Sequence, residues 1–141
     1  VRTAREANMT MPEYTIGLAE QALGGLGGKR VVVLGASYRG KVKETAFSGV
    51  FPTVAGLAAR GATALVHDPM FSDDELRAHG FEPYHIGEPA EVAIVQADHP
   101  EYRDLRPVDL PGLRVLVDGR RITEAAAWPG VQRLVVGDGQ A

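Results

Sequence analysis

Apolar residues fall along this chain in two rhythms. Short continuous runs at Val31–Leu34, Ala62–Val66, Val92–Val95, Leu113–Val117 and Val131–Val136 are rich in β-branched side chains. Such runs read as strands buried on both faces, as in a parallel sheet. Between the first two, Val50, Val54, Leu57 and Ala58 recur at helical spacing, and Gly61 stands where a helix ends. Ser48 can cap that helix from Gly49, and Pro52 falls in its first turn, where a missing N–H costs little. Ser72 to His79 reads as a short helix with a capping box, Ser72 and Glu75, and Gly80 past its end. Phe81 to Ile86 can hold a short strand, and Thr123 to Trp128 a helical turn.

Ahead of the first strand, Val1 to Leu23 reads as helical. Ala4, Ala7, Met11, Tyr14, Leu18 and Ala22 recur three or four apart. Pro12 interrupts the pattern and is expected to kink the helix or restart it near Met11. Gly24, Gly25, Gly27 and Gly28 then lead into the strand. Residues 1–28 thus form a helix and glycine linker, and residues 29–141 a strand-first domain. Strand, helix, strand, helix in order predicts an α/β layered domain with an open, mainly parallel sheet. The helix ahead of it is not needed by such a unit. It is expected to find its partners outside this chain or in a second copy of it.

Composition narrows the function. At 141 residues the chain is one domain, or one domain and part of another. A net charge of −3 argues against a nucleic-acid binder held by bulk charge. No apolar run is long enough to span a membrane, and no signal-peptide pattern opens the chain. The absence of cysteine rules out disulfides, thiolate metal sites and a cysteine nucleophile on this chain, and is compatible with a cytoplasmic location.

Candidate chemistry gathers after the strand runs. Gly35, Gly40 and Lys41 approach a nucleoside-triphosphate phosphate loop, but Val42 replaces the magnesium-binding Ser or Thr. Ser37 occupies the second glycine of a dinucleotide fingerprint, so a pyrophosphate is kept from the backbone. What remains is a loop with Tyr38, Arg39, Lys41 and Lys43. It is either a solvated charged loop or an anion site with Arg39 as a planar fork. Arg120 follows a later strand, so Tyr38, Arg39 and Arg120 share the carboxyl edge of one sheet. Two arginines and an aromatic there suit a phosphorylated ligand carrying a ring. Asp68 stands where a Rossmann domain reads a ribose hydroxyl, but without the glycine fingerprint it reads as a turn aspartate before Pro69. His99 could serve as a catalytic base, but as a lone loop histidine beside Pro100 with no sequence neighbour to pair with it, it reads as structural.

The stretches GASYRGKVKETAFSG (residues 35–49), VHDP (66–69), ADHPEYRDL (97–105) and VDGRR (117–121) occur in that order. They resemble the C-terminal domain of the UDP-glucose/GDP-mannose dehydrogenase family, and most closely its UDP-N-acetylhexosamine branch. AREANMTMPEY (4–14) is similar to the end of that family's central helical domain. The resemblance implies a Rossmann-like fold preceded by a helix of the central domain, through which homodimers form. It implies a part of an NAD-dependent enzyme that oxidises the sugar C6 alcohol of a nucleotide sugar to a carboxylate. Tyr38, Arg39 and Arg120 fall on the family's UDP-sugar contacts. The family's Asp-x-Arg-Glu-Ser run aligns with Glu44, Thr45, Ala46, Phe47 and Ser48. Its arginine, which reaches toward NAD, is here Ala46, so that contact is lost or moved to Lys41 or Lys43. The catalytic cysteine and the NAD fingerprint have no counterpart. The chain is therefore expected to be a fragment carrying the substrate half of the site, inactive without the NAD-binding and central domains. The alternative is a free-standing nucleotide-binding regulatory module, or an assembly module that works through its first helix.

Overall fold

The computed structural model describes residues 4–36 and 50–136. Five parallel strands form one sheet: β1 (Arg30–Leu34), β2 (Thr63–His67), β3 (Val92–Val95), β4 (Val115–Asp118) and β5 (Gln132–Val135), in the spatial order β2-β1-β3-β4-β5. Ala64, Val31, Val92, Val115 and Gln132 stand in one row across it. All residues of β3 and β4 are buried, the apolar ones as a strand covered on both faces requires and Asp118 at the end of β4 with them. The expected strand at Phe81 to Ile86 is reduced to a single parallel bridge between Val66 and Pro83. Proline cannot donate to a ladder, so pairing stops there.

Successive strand residues point to opposite faces, and each face has its own core. Val31, Val33, Val66, Val92, Ile94, Val115 and Val117 meet three helices, α1 (Ala4–Leu23), α2 (Val50–Ala59) and α3 (Asp73–Ala78). Val32, Leu34, Leu65, Ala93, Val95 and Leu116 meet Tyr84, Tyr102, Leu110, Ile122 and Trp128. That second layer is built from loops and three short 3-10 turns, at Pro100–Asp104, Pro107–Asp109 and Ala125–Ala127. The capping box of α3 forms as expected. The Glu75 amide donates to Ser72 Oγ at 3.1 Å and the Ser72 amide to Glu75 Oε1 at 2.8 Å.

Helix α1 departs from expectation in two ways. It runs unbroken from Ala4 to Leu23 with Pro12 inside it, so it does not restart. Among its described side chains, Ile16 and Ala19 are fully covered and Leu18 and Ala22 of the expected stripe pack against the core, whereas Tyr14 of that stripe is 42 % exposed. The cause lies on α2. Gly56 lets α1 approach so closely that a Cβ there would stand 2.7 Å from Ile16 Cδ1. For the same reason α2 buries Thr53 and Gly56 along with Val50 and Leu57, while Ala58 is exposed. Arg60 fastens the pair, with Nη2 on Glu13 Oε1 at 2.8 Å and Nε on Glu20 Oε1 at 3.2 Å. This half of α1 is thus packed on its own domain. Burying Ile16 alone contributes about 1.5–3 kcal/mol. The cap at Ser48 lies outside the described residues.

The carboxyl edge of the sheet is packed backbone on backbone. Gly35 leaves β1 at φ +116°, and a Cβ on it would lie 2.5 Å from Ala97 Cβ and 2.8 Å from Ala97 N. Gly35→Ala is expected to lower stability by more than the about 1–3 kcal/mol of the backbone strain alone, because a collision with fixed backbone is added. Urea unfolding of the variant beside the native chain measures this. An unchanged midpoint would contradict the packing.

Candidate nucleotide site at the carboxyl edge

From β1 the chain crosses to β2 on one side, and from β2 it returns past β1 to β3 on the other. Strand order therefore reverses between β1 and β3, and the crevice outside their carboxyl ends is where open α/β sheets bind ligands. Three loops meet there. Gly35 and Ala36 begin the first, Asp98 and His99 belong to the second, and Gly119 and Arg120 open the third. The Gly119 amide donates to the Val95 carbonyl at 3.1 Å, and a Cβ on Gly119 would stand 2.8 Å from that oxygen. The Gly35 amide donates to the His67 carbonyl at 2.7 Å.

Arg120 is presented by a turn built on a buried carboxylate. Asp118 is 0 % exposed. Its Oδ1 accepts the Arg120 amide at 2.9 Å. Its Oδ2 accepts the amides of Ile122 at 2.9 Å and Thr123 at 2.7 Å, and the Thr123 hydroxyl at 2.5 Å. A carboxylate so buried has to collect donors, and this one takes them from the loop it starts. The chain turns through Arg121 at φ +59°, a conformation side chains seldom adopt and one that the carboxylate compensates. Arg133 on β5 secures the far side, donating to Thr123 Oγ1 at 2.8 Å and to its carbonyl at 2.6 Å.

The Arg120 guanidinium stays one-third exposed, with Nη2 3.8 Å from Asp98 Oδ2 on the loop after β3. Since β3 lies between β1 and β4, Arg120 reaches toward the strand that borders the switch point. The other predicted site residues, Tyr38, Arg39, Lys41 and Lys43, lie outside the described residues, as does Ala46.

Asp68 is more than a turn residue. Its Oδ1 accepts the Met70 amide at 2.8 Å, the turn bond expected ahead of Pro69. Its Oδ2 accepts the Ala36 amide at 2.8 Å and His99 Nε2 at 2.9 Å. The side chains of Asp68 and His99 are 0 % and 1 % exposed. Because a carboxylate only accepts, His99 carries its proton on Nε2 toward Asp68. Burial pushes the Asp68 pKa up, but the bonds from His99 and the two amides outweigh it and hold the carboxyl below its usual value. Tyr102 packs edge-on against the His99 ring, at 5.4 Å between centroids, and donates to the His67 carbonyl at 3.0 Å. It accepts in return from His67 Nδ1 at 3.0 Å. Burial lowers the His67 pKa against the opposing pull of Asp68, and raises that of Tyr102 well above the phenol range.

These contacts remove a Rossmann-type role for Asp68, since its oxygens are taken by the protein and it is buried. Asp68 as placed therefore does not fit a dinucleotide held in that manner. The pairing of His99 with Asp68 spans 31 positions and left no mark in either local sequence. The only trace was an Asp at the end of one apolar run and a His just past another.

Asp68 has a folded pKa below its ordinary value of 3.8. The stability its ionised form supplies is therefore complete above that value and is lost as pH falls through the folded pKa. Asp68→Asn turns one acceptor into an NH2 facing a donor, and is expected to cost about 1.5–3 kcal/mol at neutral pH. It should also flatten the acid limb of the stability curve below about pH 4. Thermal melts of both proteins from pH 3 to 7 check this, and parallel acid limbs would contradict it.

Comparison with known proteins bears on the same edge. The family model "UDP-glucose/GDP-mannose dehydrogenase family, UDP binding domain" matches residues 32–125. A UDP-N-acetyl-D-mannosamine dehydrogenase of Methanocaldococcus jannaschii is 25 % identical, covering 99 % of this chain and 34 % of its own length. One of Methanococcus vannielii is 24 % identical over 91 % of this chain and 31 % of its own. The chain thus spans about a third of the length of these curated relatives. Among solved structures, a UDP-D-ManNAc dehydrogenase of Pyrococcus horikoshii shares the fold with a TM-score of 0.76 at 22 % identity, over 99 % of this chain and 34 % of that one. A UDP-glucose dehydrogenase of Pyrobaculum islandicum superposes with a TM-score of 0.73 at 27 % identity, over 90 % of this chain and 30 % of that one. With the match spanning β1 to the Arg120 turn, this chain belongs to the UDP-glucose/GDP-mannose dehydrogenase family, as its UDP binding domain.

Proposed function

We propose that this domain holds the nucleotide of a UDP-sugar, a UDP-N-acetylhexosamine, in an NAD-dependent nucleotide-sugar 6-dehydrogenase. The observation that carries the reading is the presentation of Arg120, whose turn is set by the buried Asp118 carboxylate and whose guanidinium, one-third exposed, lies 3.8 Å from Asp98 on the loop after β3. Its fork can place two charge-assisted bonds on a diphosphate or a uracil carbonyl. Tyr38 and Arg39 follow β1 in sequence, and they are assigned the opposite side of the nucleotide, the ring stacking and Arg39 sharing the phosphate charge. The names of the curated relatives support the N-acetylhexosamine. The chemistry at the sugar C6 needs a nucleophile and a hydride acceptor. The chain has no cysteine, so the nucleophile is assigned to another part of the enzyme, as is most of the NAD site, with Lys41 and Lys43 assigned a contact to it. This domain binds and orients substrate.

Calorimetry with UDP, UDP-N-acetylhexosamines and NAD tests the reading. UDP and UDP-sugars are expected to bind weakly, because the opposing wall of the pocket is not on this chain, and NAD is expected not to bind. Arg120→Ala should weaken UDP by about tenfold to a hundredfold, the loss of a charged hydrogen bond worth roughly 1.5–3 kcal/mol. Arg120→Lys should recover only part of it, since an ammonium lacks the fork. Tight NAD binding without a UDP response, or NADH formation by the purified chain, would overturn the assignment.

A further inference from the structure

The Asp68–His99 pair lies beneath the proposed nucleotide site without facing it. Asp68 Oδ2 holds the Ala36 amide, the root of the loop that carries Tyr38 and Arg39 two and three positions on. The same oxygen holds His99 Nε2 on the loop after β3. The residue before His99 is Asp98, which stands 3.8 Å from Arg120. One buried carboxylate at the end of β2 therefore ties together the roots of two loops, and the second of those loops abuts the arginine presented by a third.

We propose that Asp68 and His99 are positioning residues for nucleotide binding, tying the chain at Ala36 to the loop that abuts Arg120 so that the spacing between the end of β1 and Arg120 is set before the ligand arrives. The proposal rests on the UDP-binding reading above. Its physical basis is that both side chains are buried, so their bond is shielded from water and directional. The second loop is also held by packing, with the His99 ring against Tyr102. A preset site does not have to order its loops at the moment of binding, and affinity gains by that amount. His99 is not a catalytic residue in this scheme, since its donor points inward to Asp68 and touches no ligand.

His99→Phe keeps a ring against Tyr102 and removes the donor, whereas His99→Gln keeps a side-chain N–H. UDP titration by calorimetry, at a temperature where circular dichroism shows each variant folded, separates positioning from mere stability. His99→Phe is expected to bind UDP about tenfold more weakly, and His99→Gln to restore most of that loss. In an Arg120→Ala background the effect of His99→Phe should shrink, because the two act on one contact set. A His99→Phe protein that melts earlier but binds UDP as tightly as the native chain overturns the proposal. If His99→Phe does not fold, His99→Asn takes its place, since its side chain is too short to keep the 2.9 Å bond to Asp68; UDP bound by it as tightly as by the native chain overturns the proposal. Native protein that shows no UDP binding at all removes the UDP reading itself, whereas native binding with an insensitive His99 removes only this inference.

Discussion

Two carboxylates that cannot reach water govern the carboxyl edge of this sheet. Asp118 ends β4 and Asp68 follows β2, and each is buried so fully that its charge has to be matched from within the protein. Both take most of their donors from loops at the strand ends. Asp118 gathers three amides and a hydroxyl and thereby sets the backbone of the Arg120 turn. Asp68 gathers two amides and an imidazole from the loops around it. The shape of the crevice depends on these bonds, and the glycines at 35 and 119 let the loops close to backbone contact around them.

A fold of this kind divides its labour. The strands are apolar on both faces and their register is settled by burial, so they contribute rigidity and almost no chemistry. The loops at the carboxyl ends carry the polar groups. They hold their geometry because they are stitched to one another, through Gly35 to His67, Gly119 to Val95 and Ala36 to Asp68, as well as to the strands. Arg120 is the outcome of that arrangement, a cation whose backbone is fixed and whose guanidinium stays one-third exposed beside Asp98.

Much of this was legible in the sequence because it depends on local rules. Apolar runs announced all five strands to within about two residues, and the Ser72–Glu75 box announced α3. The Gly-Ala-Ser-Tyr-Arg and Asp-Gly-Arg-Arg stretches pointed to the family. The features that were missed depend on distance. Nothing near Pro12 shows that tertiary packing through Ile16 and Gly56 keeps α1 continuous. Nothing near Asp68 or His99 shows that they meet, and each alone reads as a turn residue or a structural histidine. Asp118 was read as part of a motif for its arginine, when its own burial is what shapes the motif.

The central claim is that UDP lies across the carboxyl ends of β1 and β3 with Arg120 as an anchor. A crystal structure of the chain with UDP tests it most directly. The account predicts the diphosphate or uracil within hydrogen-bond distance of the Arg120 guanidinium, with Asp68 and His99 still paired beneath and untouched by ligand. UDP bound instead on the opposite edge beside Lys29, Glu91 and Arg114, or over β2 with Asp68 turned outward to its ribose, would contradict it.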